Sequence, residues 1–134
     1  MLDQPNGADI LAAVSRLLRD TLMPVLPPDT VFQARVAANA LDLVAREIRF
    51  GETVEREAEQ RLRILLDREG TLAELESELS LRIRNGALDL QSPGVAEHLW
   101  ETTLAKMQID QPSYASYRRE LEARAGQPQT RTKE

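Results

Sequence analysis

The sequence predicts an all-α fold: a single-domain bundle of five or six helices around a long central helix at about residues 30–50. Three observations predict it. Apolar residues recur at i, i+3, i+4 and i+7 through most of the chain. Glycines at 51, 70 and 86 close segments of helical length, and Thr71-Leu72-Ala73-Glu74 opens one as a capping box. The clearest strand-like alternations, Leu81–Arg84 and Leu88–Gln91, are too short to compete with the helical pattern around them.

In chain order, Asn6 is placed to cap a first helix over about Gly7–Met23, with Ile10, Leu11, Val14, Leu17, Leu18 and Leu22 as its apolar stripe. Pro24 and then Pro27-Pro28 end it, because proline lacks the N–H and clashes with the preceding turn. The central helix follows from an Asp29 cap to a Gly51 stop, and the tight corner makes a hairpin of the first two helices. Phe32, Val36, Ala37, Ala40, Leu41, Val44 and Ile48, widened by Leu43, form an apolar sector too broad for a helix covered on one side. Leu41 and Val44 are therefore expected in the core.

A third helix is expected over Glu52–Glu69, with Val54, Ala58, Leu62, Leu65 and Leu66 inward and Glu57–Arg61 and Glu59–Arg63 as i, i+4 pairs. The fourth runs from the capping box to about Asn85, with Leu72, Leu75, Leu79 and Ile83 inward. Ser92-Pro93 reads as an N-cap followed by proline at the first helical position. That fifth helix extends to about Ile109, with Ala96, Leu99, Trp100, Thr103, Leu104 and Met107 inward. Asp110-Gln111-Pro112 breaks it. A last helix, about Pro112–Ala125, carries Tyr114, Tyr117 and Leu121. The helical domain is thus expected over 1–125, with a disordered polar tail over 126–134.

The totals bound the function. At 134 residues the chain has the size of one domain. Aromatics make up 4%, so the core is built from Leu, Val, Ile and Ala. There is no cysteine, which removes disulfides, thiol nucleophiles and Cys-based metal sites. The net charge of −5 and the lack of a basic stripe argue against nucleic acid. No apolar run reaches membrane-spanning length, and no basic segment followed by a long apolar run opens the chain, so the expected location is the cytoplasm.

Residue chemistry offers little for catalysis. The single histidine, His98, has no partner identifiable from spacing, and a surface or core histidine is its plainer reading. Nothing resembles GxGxxG, a Walker loop or HExxH. Glu52, Glu55, Glu57 and Glu59 lie off the apolar stripe among arginines. They read as a solvated face rather than a di-metal helix, which needs inward Glu-x-x-His. No metal and no cofactor is expected. On the central helix Arg35, Asn39, Asp42, Arg46 and Arg49 fall on one line. That line is either a wet face or a polar strip that meets a partner or an anion, since Arg grips carboxylate and phosphate bidentately. Ile64 and Leu81 lie outside their stripes, and side by side they would form a patch.

Three stretches together carry a resemblance: FQARVAANALDLVARE at 32–47, LRIRNGALDL at 81–90 and LAKMQIDQPSY at 104–114. They resemble a family of small bacterial helical proteins of unassigned function, encoded beside aminoglycoside-phosphotransferase-like kinases and acyl-CoA dehydrogenases. The likeness extends to the small accessory subunit of the hydroxyacyl-CoA kinase of levulinate catabolism. It covers roughly residues 8 to 118, with Arg35, Asn39, Arg46, Glu47, Asp110, Pro112 and Tyr114 as the family-typical positions. It implies a partner rather than a reaction: a kinase that supplies the phosphate loop, the metal and the base.

The leading expectation is therefore a non-catalytic accessory subunit of such a kinase. Its docking surface is expected to combine Arg35, Asn39 and Arg46 with Trp100 and Tyr114, aromatic and Arg side chains being the usual interface anchors. Homo-oligomers remain open. The runner-up is a stand-alone module binding an acyl-CoA or similar anion along the Arg35/Arg46 strip. An enzyme using His98 with a carboxylate comes third, and a helix-turn-helix regulator fourth.

Overall fold

A computed structural model describes residues 4–127. Five α-helices account for most of them: α1 Gly7–Arg16, α2 Pro28–Leu66, α3 Leu72–Arg84, α4 Val95–Asp110 and α5 Ala115–Ala125. No strand occurs among the described residues. The all-α prediction holds. Of the tail expected over 126–134, residues 128–134 lie outside the described residues.

The first helix begins as expected, with the Asn6 carboxamide accepting from the Asp9 N–H at 3.0 Å. It does not continue as α-helix to Met23. A π-helical turn over Leu17–Leu22 and a 3₁₀ turn over Met23–Val25 carry it to the proline corner. There α2 starts one residue before the expected Asp29 cap, with Pro28 in its first turn, where a missing N–H costs nothing.

The largest difference from the sequence reading concerns Gly51. It does not stop the central helix. The expected second and third helices are one 39-residue helix, about 58 Å long at 1.5 Å per residue. A glycine inside a helix costs only about 1 kcal/mol relative to alanine. Here α4 packs along α2 across the junction: Arg46 Nε donates to the Ile109 carbonyl on one side of Gly51, while Val54, Glu57 and Arg61 lie beside Leu104 and Ala105 of α4 on the other. That splint outweighs a single poor helix former. The helix ends instead at Asp67, in the left-handed region at φ 48°, which aspartate tolerates.

Because α2 is so long, its neighbours are strung along it rather than gathered around its middle. The first half packs on α1 through the small residues Ala34, Ala38 and Ala45. The second half packs on α3 and α4. The tightest core lies there: Leu62, Leu66, Leu75 and Leu79, with Leu65, Leu72 and Leu88 against them. The expectation that Leu41 and Val44 are core residues is corrected accordingly. Leu41 is half-buried and Val44 is exposed, as are Phe32, Val36 and Ile48.

The capping box is present in both directions: Glu74 N–H to Thr71 Oγ1 at 3.3 Å and Thr71 N–H to Glu74 Oε2 at 2.8 Å. Helix α4 starts two residues later than Ser92-Pro93 suggested, with Gly94 before it at φ 84°. Its inward residues are Val95, His98 and Leu104 rather than the Leu99/Trp100 side. The α4–α5 break falls where Asp110-Gln111-Pro112 placed it, and α5 begins at Ala115. It is held by the buried Tyr117 and by Arg124, which pairs with Glu101 at 2.8 Å.

Candidate functional site

The break between α4 and α5 creates the site. Asp110 to Tyr114 turn back over the first half of α2 and enclose, with it, an open cleft of about 600 Å³. From α2 come Asn39, Ala40, Asp42, Leu43 and Arg46; from the turn after α1 comes Arg19.

Two interactions fix its walls. Arg19 reaches across the hairpin to the Asn39 carboxamide oxygen at 2.7 Å and the Asp42 carboxylate at 2.8 Å. Arg46 Nε donates to the Ile109 carbonyl at 2.5 Å, a cation on the last turn of α4, where the helix dipole favours positive charge. Partial burial pushes the Asp42 carboxyl up. The nearby Ser15 hydroxyl, the hydrogen bond from Arg19 and the charges of Arg19 and Arg46 outweigh it and hold the Asp42 carboxyl below its ordinary value. The buried Ser15 hydroxyl donates to the Ala38 carbonyl at 3.4 Å.

The cleft thus holds two arginines and two aspartates, with Asn39, Gln111, Ser113 and Tyr114 between them. Its charges largely compensate one another. This is a hydrogen-bonding surface rather than a trap for an anion.

Of the five expected site residues, the structure brings three together here: Asn39, Arg46 and Tyr114. Arg46 is more structural than the strip suggested, because it clamps the end of α4. Arg35 is exposed and does not line the cleft. Trp100 lies elsewhere, half-exposed on α4, where its indole N–H meets Glu120 of α5 at 3.4 Å. The expected joining of Trp100 and Tyr114 into one surface with the strip is therefore corrected. Arg19, Gln111 and Ser113 were missed. Only the antiparallel register of the hairpin, which sets residue 19 opposite 39 and 42, could have found Arg19.

His98 is buried, with Nδ1 lacking a partner among the described residues. Burial, and then the nearby Arg61 charge, holds its pKa below 6.5. Ile64 and Leu81 are both exposed but line separate hollows, so they do not form the patch considered above. Among the described residues no three His, Cys, Asp or Glu are grouped to hold a metal ion, and no helix is long and apolar enough to cross a membrane.

The family described as "Domain of unknown function (DUF6285)" matches residues 24–114. The chain belongs to this family. The matched span starts just before α2 and closes at Tyr114, so it contains all the lining residues of the cleft except Arg19. No curated protein and no solved structure matches the chain.

Proposed function

We propose that this chain is a non-catalytic subunit that works by docking onto another protein. The partner is the aminoglycoside-phosphotransferase-like kinase of hydroxyacyl-CoA catabolism that the sequence resemblance implies. One observation carries the docking role. Asn39, Arg46, Asp110, Pro112 and Tyr114, five of the seven positions that carry the resemblance, come from two distant parts of the chain and line one open cleft. Its residue types support a protein partner over a small anion. The arginines are matched by aspartates, while Tyr, Arg and Asn offer the mixed hydrogen bonding of an interface.

Tyr114 is the side chain to test, since it is half-exposed and its backbone, not its ring, makes the turn. Tyr114→Ala, measured by calorimetric titration into the purified kinase-like protein, is expected to weaken binding by about 30-fold, as a hot-spot tyrosine worth about 2 kcal/mol would. Helicity should be unchanged. Full affinity in that variant removes the cleft from the interface. Absence of any binding by the unaltered chain removes the kinase as partner. A small acyl-CoA that binds the isolated chain and is lost with Tyr114→Ala would favour the ligand-module reading.

A further inference from the structure

The α1–α2 hairpin has two unlike edges. Asp9 pairs with Arg49 at 3.3 Å, and Arg19 with Asn39 and Asp42, along one edge. These pairs, with Ser15 against the Ala38 carbonyl, run in opposite directions along the two segments, so the hairpin is antiparallel. On the other edge Gly7 approaches Ile48 Cδ1. Helical periodicity of 100° per residue puts Ile10, Val14 and Leu17 on this second side of the first segment, and Ala37, Val44 and Ile48 on the same side of α2, with Val36 at the rim and Ala40 at the edge shared with the cleft. All of these are exposed, the six larger ones by 40% to 55%. Beside them Leu11, Leu18 and Leu41 are only half-buried, a core layer with one wall missing.

We propose that this face is covered by a second copy of the same chain, two hairpins packing about a two-fold axis into a four-helix bundle. The area fits. The exposed side chains present on the order of 600 Å² of apolar surface, most of the roughly 800 Å² that each partner gives to a standard interface. It also reaches the upper end of what a monomer ordinarily shows. The charge fits as well. In a chain of net charge −5 the first segment's stripe carries no charge; on α2 Asp29 and Glu47 lie at the rim, and Glu52 and Glu55 follow one and two turns past Ile48, at the open end of the hairpin where Gly7 begins α1. In a two-fold interface each patch meets its own copy, so a charged face would repel itself, whereas this one does not. An antiparallel helix pair with one apolar side is half of a four-helix bundle. The face is centred on the Ala37–Val44–Ile48 line and meets the Asn39–Arg46 cleft only at Ala40, so substitutions at Val44 and Ile48 test the dimer independently of the docking reading.

Sedimentation equilibrium of the whole chain tests it. The expected mass is about 30 kDa, twice the 15.1 kDa of one chain. Val44→Arg with Ile48→Arg, both exposed in the single chain, is expected to weaken dimerisation at least 100-fold while keeping the helical circular dichroism. A chain that stays at 15.1 kDa up to 200 µM overturns the proposal, as does a dimer that survives the double substitution. Should that variant fail to fold, cross-linking decides. The chain has no cysteine, so Ala37→Cys, exposed on the Val44–Ile48 line, can be joined by a short bismaleimide, with Glu76→Cys on α3 as control. Faster coupling at 37 than at 76 supports the face; equal or slower coupling overturns it.

Discussion

His98 is a buried base whose protonation the fold opposes, since burial and Arg61 both disfavour the charged form. The unfolded chain therefore binds the proton at higher pH than the folded one. Stability from this source is fully present above pH 6.5 and is lost as pH falls below it. The carboxyls held low, Asp42, Glu74 and Glu120, act in another window: what they contribute is present at neutral pH and lost only as pH falls through the acid range. With one histidine in the chain, a melting temperature that drops between pH 7 and pH 5 belongs to His98. His98→Gln is expected to flatten that slope; an unchanged slope would assign it to other groups. In the core, Leu62 is fully enclosed, and Leu62→Ala should cost about 2–5 kcal/mol in urea unfolding. A loss under 1 kcal/mol would show that the α2–α3 contact is not the core.

Among the helices, the unbroken α2 makes a sharp forecast at Gly51. A Cβ there meets only Glu47 Cγ, at 3.9 Å, an ordinary contact. Gly51→Ala should therefore stabilise the protein by about 0.5–1 kcal/mol, whereas a glycine stop with positive φ would make the same change destabilising. Gly94 is the contrasting case. Its φ of 84° and the 3.2 Å from its Cβ position to Leu65 Cδ1 make Gly94→Ala unfavourable by about 1–2 kcal/mol from backbone strain alone. Chemical unfolding of the two variants side by side distinguishes a glycine that interrupts nothing from one that the start of α4 requires. At the head of α3, Thr71→Ala removes the acceptor for the Glu74 N–H and should cost about 1 kcal/mol by the same measurement.

Across the whole molecule, packing is uneven. The leucine core at the far end of α2 is closed on all sides, whereas α5 is attached by Tyr117, by the exposed Arg124–Glu101 ion pair and by the Trp100–Glu120 hydrogen bond, and exposed polar pairs contribute little in water. Native-state hydrogen exchange should show it: α5 amides are expected to exchange at least tenfold faster than those around Leu62 and Leu75. Equal protection would mean that α5 unfolds only with the rest.

The sequence by itself determined the helical class, the Asn6 cap, the Thr71–Glu74 box, the proline corner and the break after Asp110. Each is a local matter of hydrogen-bond donors, side-chain caps and backbone sterics within a few residues. Asn39 and Arg46 were expected at a docking surface from the line they draw on α2, and Tyr114 as an aromatic anchor beside the helix break; the structure places these three around one cleft. Tertiary structure decided the rest. Whether Gly51 ends a helix depends on α4 lying across it, and periodicity cannot show a neighbour 50 residues away. Which side of α2 is buried depends on where its partners attach. A wide apolar sector shows only that something covers it, and α1 took the alanine line while leaving Val44 and Ile48 outside. Arg19 joined the cleft, and Trp100 left it, for the same reason: register between helices is set by packing, not by spacing along the chain.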